Sequence, residues 1–528
     1  MASSLDDFQD DLDFQSNHDD YGHSSKLSRA LLYLQIYFVT IATILGTGIL
    51  GLPVTLSRSG MGPFTVVFIF GFFMQVLLIY FFTILLQKAF AIKNLYGGIN
   101  DKDLDNESLP LHPVPIASQD NEEENEDFVT GKVIQPLDLS ERTYPDLHMM
   151  GELFLPCFAR QLFDLCTVLL FVSLLISYAL AGSEAYAEII GVRHVFVIPF
   201  FCWICTLLII FAQKIIQPMV SILTLAKGGL LIGTVFVTFY VGTQVNQDSH
   251  TKWKYIGSPF LMGTVAVGGI INVMPMMFSK IEHNRSQVKG FLNSILLGLL
   301  TCVILNIAWC YSILSIVPQR CTDIQGGDLI FNDTNGIIHC NVSLAWSKRN
   351  GEISTIPLTR IIRSDYISYD WVAWLVEFFI MISITVSFLT IGSAYRHMLE
   401  GVLNSFTVST KSSFSFRINQ GYGQLVNRKC TIELSVYFLA FGIIFAIAMM
   451  DPRGFVTILD KAASLLMNLQ AGLFITFMIH RAQTGGYKNL PIPVKMNGYL
   501  YYCSYIMTFY FIFAVVYDVV ITAVHALK

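Results

Sequence analysis

Eleven runs of apolar residues, each long enough to cross a bilayer, constrain this chain more than any motif in it. About 30 Å of hydrocarbon at 1.5 Å per residue needs roughly 20 residues of helix. The runs fall near 30–57, 63–91, 154–182, 194–212, 216–244, 257–280, 288–317, 366–396, 430–450, 454–480 and 498–525. Composition agrees: 54% of the residues are hydrophobic and 13% charged, far from soluble globular usage. The expected fold is an all-α polytopic membrane protein with 11 transmembrane helices. The first run follows an acidic segment and has no small-residue cleavage site, so it reads as a span rather than a cleaved signal peptide.

The net charge of −5 conceals two different bodies. Seventeen of the 38 acidic residues lie in 1–25 and 101–127, and without those segments the membrane body is basic. Nucleic acid is not the implied partner. The stretches 1–29 and 98–145 are polar, acidic and poor in aromatics, which predicts disordered cytosolic segments with room for a cytosolic partner. Within the second, Tyr144-Pro-Asp-Leu147 has the form of a tyrosine sorting signal, a pattern loose enough to arise by chance.

Orientation follows from lysine and arginine. With the N-terminus cytosolic, that side collects 20 basic residues and the other 11, leaving Lys227 and Lys461 inside helices. The long loop 318–365 then faces the lumen or the exterior. It carries two glycosylation acceptors, Asn332 and Asn341, and two cysteines, Cys321 and Cys340, placed where an oxidising compartment allows a disulfide. Asn106 and Asn284, also in sequons, fall on the cytosolic side. Cys202 and Cys205 have redox spacing but lie in an apolar helix, where packing is the simpler role. No metal-ligand spacing, nucleophile elbow, P-loop or kinase signature appears, so an enzyme reading has no positive support.

Two of the runs carry helix breakers. The first contains Gly46-Thr-Gly-Ile-Leu-Gly-Leu-Pro53, and the sixth contains Gly268-Gly269 followed by Asn272 and Pro275. If eleven helices divide as five, five and one, these are the first members of each half. Interrupted helices in matching positions point to a secondary transporter built from inverted repeats, with its site at the midplane. The halves would be 30–244 and 257–480, with 498–528 as an eleventh helix and a short lumenal C-terminus. A break in helix one would offer N–H groups to a carboxylate from an outer half-helix starting near Gly48, and carbonyls to an ammonium, as a zwitterion requires. The alternative is that glycines let membrane helices pack closely.

The stretch Gly46 to Pro53 resembles the first-helix signature of the amino acid/auxin permease family, of the amino acid-polyamine-organocation superfamily with the leucine-transporter fold. Asp164, Tyr178 and Glu184 in helix three have a spacing similar to that of its proton-coupled members. The resemblance implies a substrate site of Gly46, Thr47, Gly48 and Gly51 in helix one, with Gly268, Gly269 and Asn272 in helix six. It implies for Tyr178 a substrate contact or an outer gate, beside the plain reading of an interfacial aromatic. It also implies a substrate among amino acids or related small zwitterions, no cofactor beyond a coupling ion, and an endolysosomal, vacuolar or plasma membrane. Many relatives place an asparagine before the first glycine pair, where this chain has Ala42 and Ile44.

Two coupling schemes remain open in the sequence. Sodium sites of this fold use helix-one carbonyls with helix-eight hydroxyls, and Ser383, Ser387 and Thr390 stand at i, i+4 and i+7. Lys227 lies 13 residues from Lys214, about 20 Å along the helix, too deep to snorkel with ease. Some proton-coupled members of the superfamily hold a helix-five lysine where sodium would sit. By that resemblance Lys227 is the candidate proton carrier, against a structural ion pair with Glu377 or Asp164. An amino-acid-sensing transceptor or assembly subunit without net flux would share all these features.

Overall fold

In a computed structural model, residues 3–100, 145–245, 250–319, 342–414, 422–450, 459–496 and 498–526 are described. Among them stand 11 helices long and apolar enough to span a membrane. They are α1 (Ser28–Thr55), α2 (Met61–Lys93), α3 (Cys157–Ile190), α4 (His194–Phe211), α5 (Ile222–Gln244), α6 (Gly257–Phe278), α7 (Arg285–Ile316), α8 (Ile367–Leu403), α9 (Thr431–Met450), α10 (Lys461–Ala482) and α11 (Gly498–Val524). Each agrees with a run read from hydropathy. Asn106, Asn332, Asn341, Cys321 and Cys340 lie outside the described residues, as do Tyr144 and most of 98–145.

Packing partners recur with a period of five helices. The contacts of α1 with α5 and α7 match those of α6 with α10 and α2, and the contact of α3 with α9 matches that of α8 with α4. Likewise α5 packs on α7 and α8, while α10 packs on α2 and α3. Five is odd, so equivalent helices run in opposite directions through the bilayer. α1 and α6 are the most enclosed spans, whereas α9 and α11 turn much of their surface outward. α11 packs on α10 and α2 and has no counterpart in the period.

Outside the spans, the acidic N-terminal stretch continues α1 outward as helix from Ser3 rather than forming a separate coil. A span already held by packing supplies the nucleus that an isolated segment lacks. The Tyr-Pro-Asp-Leu pattern is partly consumed by the fold: Asp146 caps the helix Leu147–Phe154 by accepting from the Met149 N–H at 2.7 Å, and Leu147 is buried. Asn284, in its sequon, caps α7 by accepting from the Gln287 N–H at 2.9 Å. Cys202 and Cys205 are buried free thiols.

At the other mouth, two short helices, Leu344–Asn350 and Thr355–Asp365, cover the bundle. Between them Ser354 donates both its N–H (3.3 Å) and its hydroxyl (2.9 Å) to the Leu50 carbonyl. This seals the 342–365 segment onto α1.

Candidate functional site

The expected break in α1 is absent: the helix runs without interruption from Ser3 to Thr55, with Pro53 in its last turn. Pro53 has no N–H for the Ile49 carbonyl, four residues earlier. The indole of Trp309, from α7, supplies that bond instead, with Nε1 donating to the Ile49 oxygen at 2.6 Å. No unwound turn and no half-helix N-terminus exist at Gly48 for a carboxylate. The glycines admit neighbours instead. A Cβ on Gly46 would press into the Ser387 hydroxyl and come within 2.9 Å of Tyr178 Oη, and one on Gly48 would stand 2.8 Å from the Ala266 Cβ of α6. Gly51 is buried, and the side chain of Thr47 lies outside the described residues.

In α6 the break is present and takes a specific form. The α-helix ends at Gly268, tightens into a 3₁₀ turn over Gly269–Asn272, and resumes at Met274 for five residues. Gly269 has φ −63°, so the turn does not exploit left-handed backbone. The two glycines differ: a Cβ on Gly268 would meet the Met467 sulfur of α10, while one on Gly269 meets only Thr43 Cγ2 at 3.9 Å. Asn272 is buried, and its Oδ1 accepts from Gln470 Nε2 at 3.1 Å.

That contact leads to residues which the sequence reading passed over. In α10 the backbone widens to a π-turn over Gln470–Ile475, a distortion often found at functional positions. Gln470 Nε2 also reaches Thr167 Oγ1 of α3 at 3.3 Å, and Asn468 Nδ2 donates to Thr264 Oγ1 of α6 at 2.9 Å. Four side-chain atoms of these helices are buried and have no hydrogen-bond partner among the described residues: Asn272 Nδ2, Asn468 Oδ1 and Gln470 Oε1 at the α6–α10 contact, and Asn306 Oδ1 of α7 beside Gly48. Unpaired polar groups in a membrane interior are costly, so the α6–α10 contact and the α1–α7 contact at Gly48 are the candidate places for a polar ligand. The signal was available: two amides, Asn468 and Gln470, inside an apolar run.

Lys227 is completely buried in α5, and its Nζ donates to the Ala42 carbonyl of α1 (2.8 Å), the Ser383 carbonyl of α8 (3.1 Å) and the Ser387 hydroxyl (2.8 Å). The ion-pair alternatives are not formed. Glu377 is taken by Arg363 at 2.8 Å and Asp164 by His148 at 2.9 Å. The ammonium is thus seated between α1 and α8, on two backbone carbonyls and one hydroxyl. Ser383 Oγ is buried without a partner among the described residues. Thr390 stands apart, because its hydroxyl bonds back to the Val386 carbonyl at 2.8 Å. Tyr178, 1% exposed and facing Gly46, is an interior residue and not an interfacial aromatic.

No family model matches the chain, and no curated protein matches it. Among solved structures it is similar to the manganese transporter of Eremococcus coleocola, at 9% identity over 94% of this chain and 87% of that one, with a TM-score of 0.49. It is also similar to Mhp1, a nucleobase-cation-symport-1 family transporter, at 12% identity over 93% of this chain and 90% of that one, again with a TM-score of 0.49. Identities this low assign no substrate, and the site rests on its own residues.

Proposed function

We propose that this protein is a secondary active transporter of an amino acid or a related small zwitterion, working by alternating access and driven by protons through Lys227. The observation that carries the reading is the seat of the Lys227 ammonium. Its three N–H donors meet three acceptors drawn from two helices other than its own. A neutral amine has only two donors, so losing the proton leaves one acceptor unmatched and loosens the tie between α1 and α8. α1 and α2 each pack on α6 and α7, forming one set, while α8, α3, α4 and α9 pack on one another in a second. Rocking one set against the other is the motion that alternating access needs. A proton at Lys227 then controls it.

The halves 30–244 and 257–480 are the repeats in this reading, and the recurring contacts support them. The substrate's polar ends are met by side-chain amides of α6, α7 and α10 rather than by the ends of a broken α1. Sodium coupling is disfavoured because the ammonium already occupies the acceptors of α1 and α8. A cytosolic N-terminus fits the distribution of basic residues, and the resemblance makes an endolysosomal, vacuolar or plasma membrane the expected location.

Radiolabelled amino acid uptake into proteoliposomes, with and without an imposed pH gradient, tests the reading. Uptake by the wild type should follow the gradient and ignore sodium. Lys227→Met should lose the dependence on the gradient while retaining exchange, because a fixed neutral side chain cannot alternate between charge states. Uptake that requires sodium and keeps its pH profile in Lys227→Met would overturn it.

A further inference from the structure

Toward the mouth sealed by residues 342–365, α3 and α8 enclose a second polar place. A cavity of about 20 Å³ lies between them, lined by Glu184 and Glu188 of α3, Glu377 of α8, and Thr355 of the covering helix. This volume holds one water-sized group. Two of its lining side chains are at least nine-tenths buried and carry an oxygen without a hydrogen-bond partner among the described residues, Thr355 Oγ1 and Glu377 Oε1. Arg363 engages the other Glu377 oxygen at 2.8 Å and also reaches Asp370 at 3.6 Å. Arg360 stands 4.0 Å from Glu188. With Glu352 close by, four glutamates and two arginines line or flank the cavity. Burial raises the Glu352 carboxyl above its ordinary value, against the lowering effects of Arg360 and the Ser347 hydroxyl.

The lining discriminates among cations. Among the described residues no group of three His, Cys, Asp or Glu side chains is placed to hold a metal ion. Ala185, Ile356 and Ile380 form apolar wall, which cannot replace the hydration shell of a bare ion. A primary ammonium brings three N–H donors of its own, and its alkyl stem is suited by apolar wall. We propose that this cavity is a primary-ammonium subsite, in which Glu377 Oε1, Thr355 Oγ1 and a carboxylate of α3 accept from one –NH3⁺ group. Its position gives it a use. Glu184 is six residues from Tyr178 on α3, and Glu377 six from Ser383 on α8, about 9 Å along each helix. An amine held there is poised above the Lys227 region. That use rests on the transport reading; the binding itself does not.

The test is binding of methylammonium chloride to the purified full chain in lipid nanodiscs, read by thermal shift and calorimetry at constant ionic strength. Methylammonium should raise the melting temperature saturably. Tetramethylammonium, which has no N–H, and sodium should not. Thr355→Val and Glu184→Gln should each weaken methylammonium binding by roughly five- to tenfold. Glu188→Gln replaces Glu184→Gln if the latter is not monodisperse. Ser364→Ala, on the same covering helix but outside the cavity lining, should leave affinity unchanged. Equal binding of tetramethylammonium or sodium, unchanged affinity in the variants, or no saturable methylammonium effect overturns the proposal. Binding that is lost in the variants of a chain showing no uptake would keep the subsite and discard the transport reading.

Discussion

α1 and α6 carry the same breaker residues, glycines followed by a proline, yet only α6 departs from α-helical backbone. The difference lies in what each helix touches. In α1 the carbonyl orphaned by Pro53 receives the Trp309 indole, and the next carbonyl, Leu50, receives two donors from Ser354. In α6 the adjacent glycines precede Pro275 by six and seven residues, and the chain tightens to 3₁₀ between them. Gly269 has almost nothing beside it, while Gly46 and Gly48 are pressed by other helices. Breakers permit a break. Partners decide whether it happens.

The contrast is broken most directly at Gly46. A leucine there must displace Ser387, which Lys227 holds, and Tyr178, which is buried. Overpacking of this kind costs about 1–3 kcal/mol or more, and the displaced groups belong to the candidate coupling site. Gly46→Leu should abolish gradient-driven uptake, with little protein surviving size-exclusion chromatography; Gly46→Ala should retain fold but lose most uptake. Wild-type uptake in Gly46→Leu would show that α1 does not need its close approach to α8.

Trp309→Phe comes next. It keeps the aromatic bulk and removes the N–H, leaving the Ile49 carbonyl without its donor, at a cost of about 1–3 kcal/mol. The melting temperature should fall by several degrees. If it does not, α1 has opened at Pro53 without penalty, and the contrast with α6 dissolves.

These two experiments also mark where the sequence was legible. The eleven spans were readable because a bilayer fixes segment length and leaves no water to satisfy irregular backbone. Lys227 was readable from its depth, and Ser387 as a polar face on α8. The continuity of α1 was not, because the donor that repairs it sits 260 residues away in the chain. The Ala42 carbonyl was equally invisible, being a backbone group that no residue type announces. Asn468 and Gln470 could have been found as amides in an apolar run, but the breakers drew the reading to helices one and six.

A smaller effect separates the glycines of α6. Gly268→Ala forces the Met467 sulfur to move, and a flexible thioether can do so for about 1 kcal/mol. Gly269→Ala meets only ordinary contact, so it should be neutral in stability or gain a few tenths of a kcal/mol from lower backbone entropy. Thermal melts of the two variants, run side by side, check the order. Gly269 less tolerant than Gly268 would mean that the turn changes shape during transport and needs a bare backbone there.

The smallest expected effect concerns the far end of α6. The turn after Phe278 carries His283, whose ring stacks on Phe90 of α2 with centroids 3.2 Å apart and packs edge-on against Phe278. Burial first, and the nearby Lys93 second, lower its pKa from 6.5 to about 4. A group with a lowered folded pKa contributes stability that is complete above 6.5 and is lost as pH falls toward 4. Acidification should therefore loosen the junction between α2 and the end of α6, while the α1 ties, made by an indole and a neutral hydroxyl, do not titrate in that range. The ring is only partly buried, so solvent screens the effect. Melting temperature plotted from pH 7 to pH 4 should fall less steeply in His283→Gln than in the wild type, and the slope in Trp309→Phe should match the wild type. Parallel curves for His283→Gln and the wild type would place the acid sensitivity elsewhere and leave both ends of the comparison insensitive to pH.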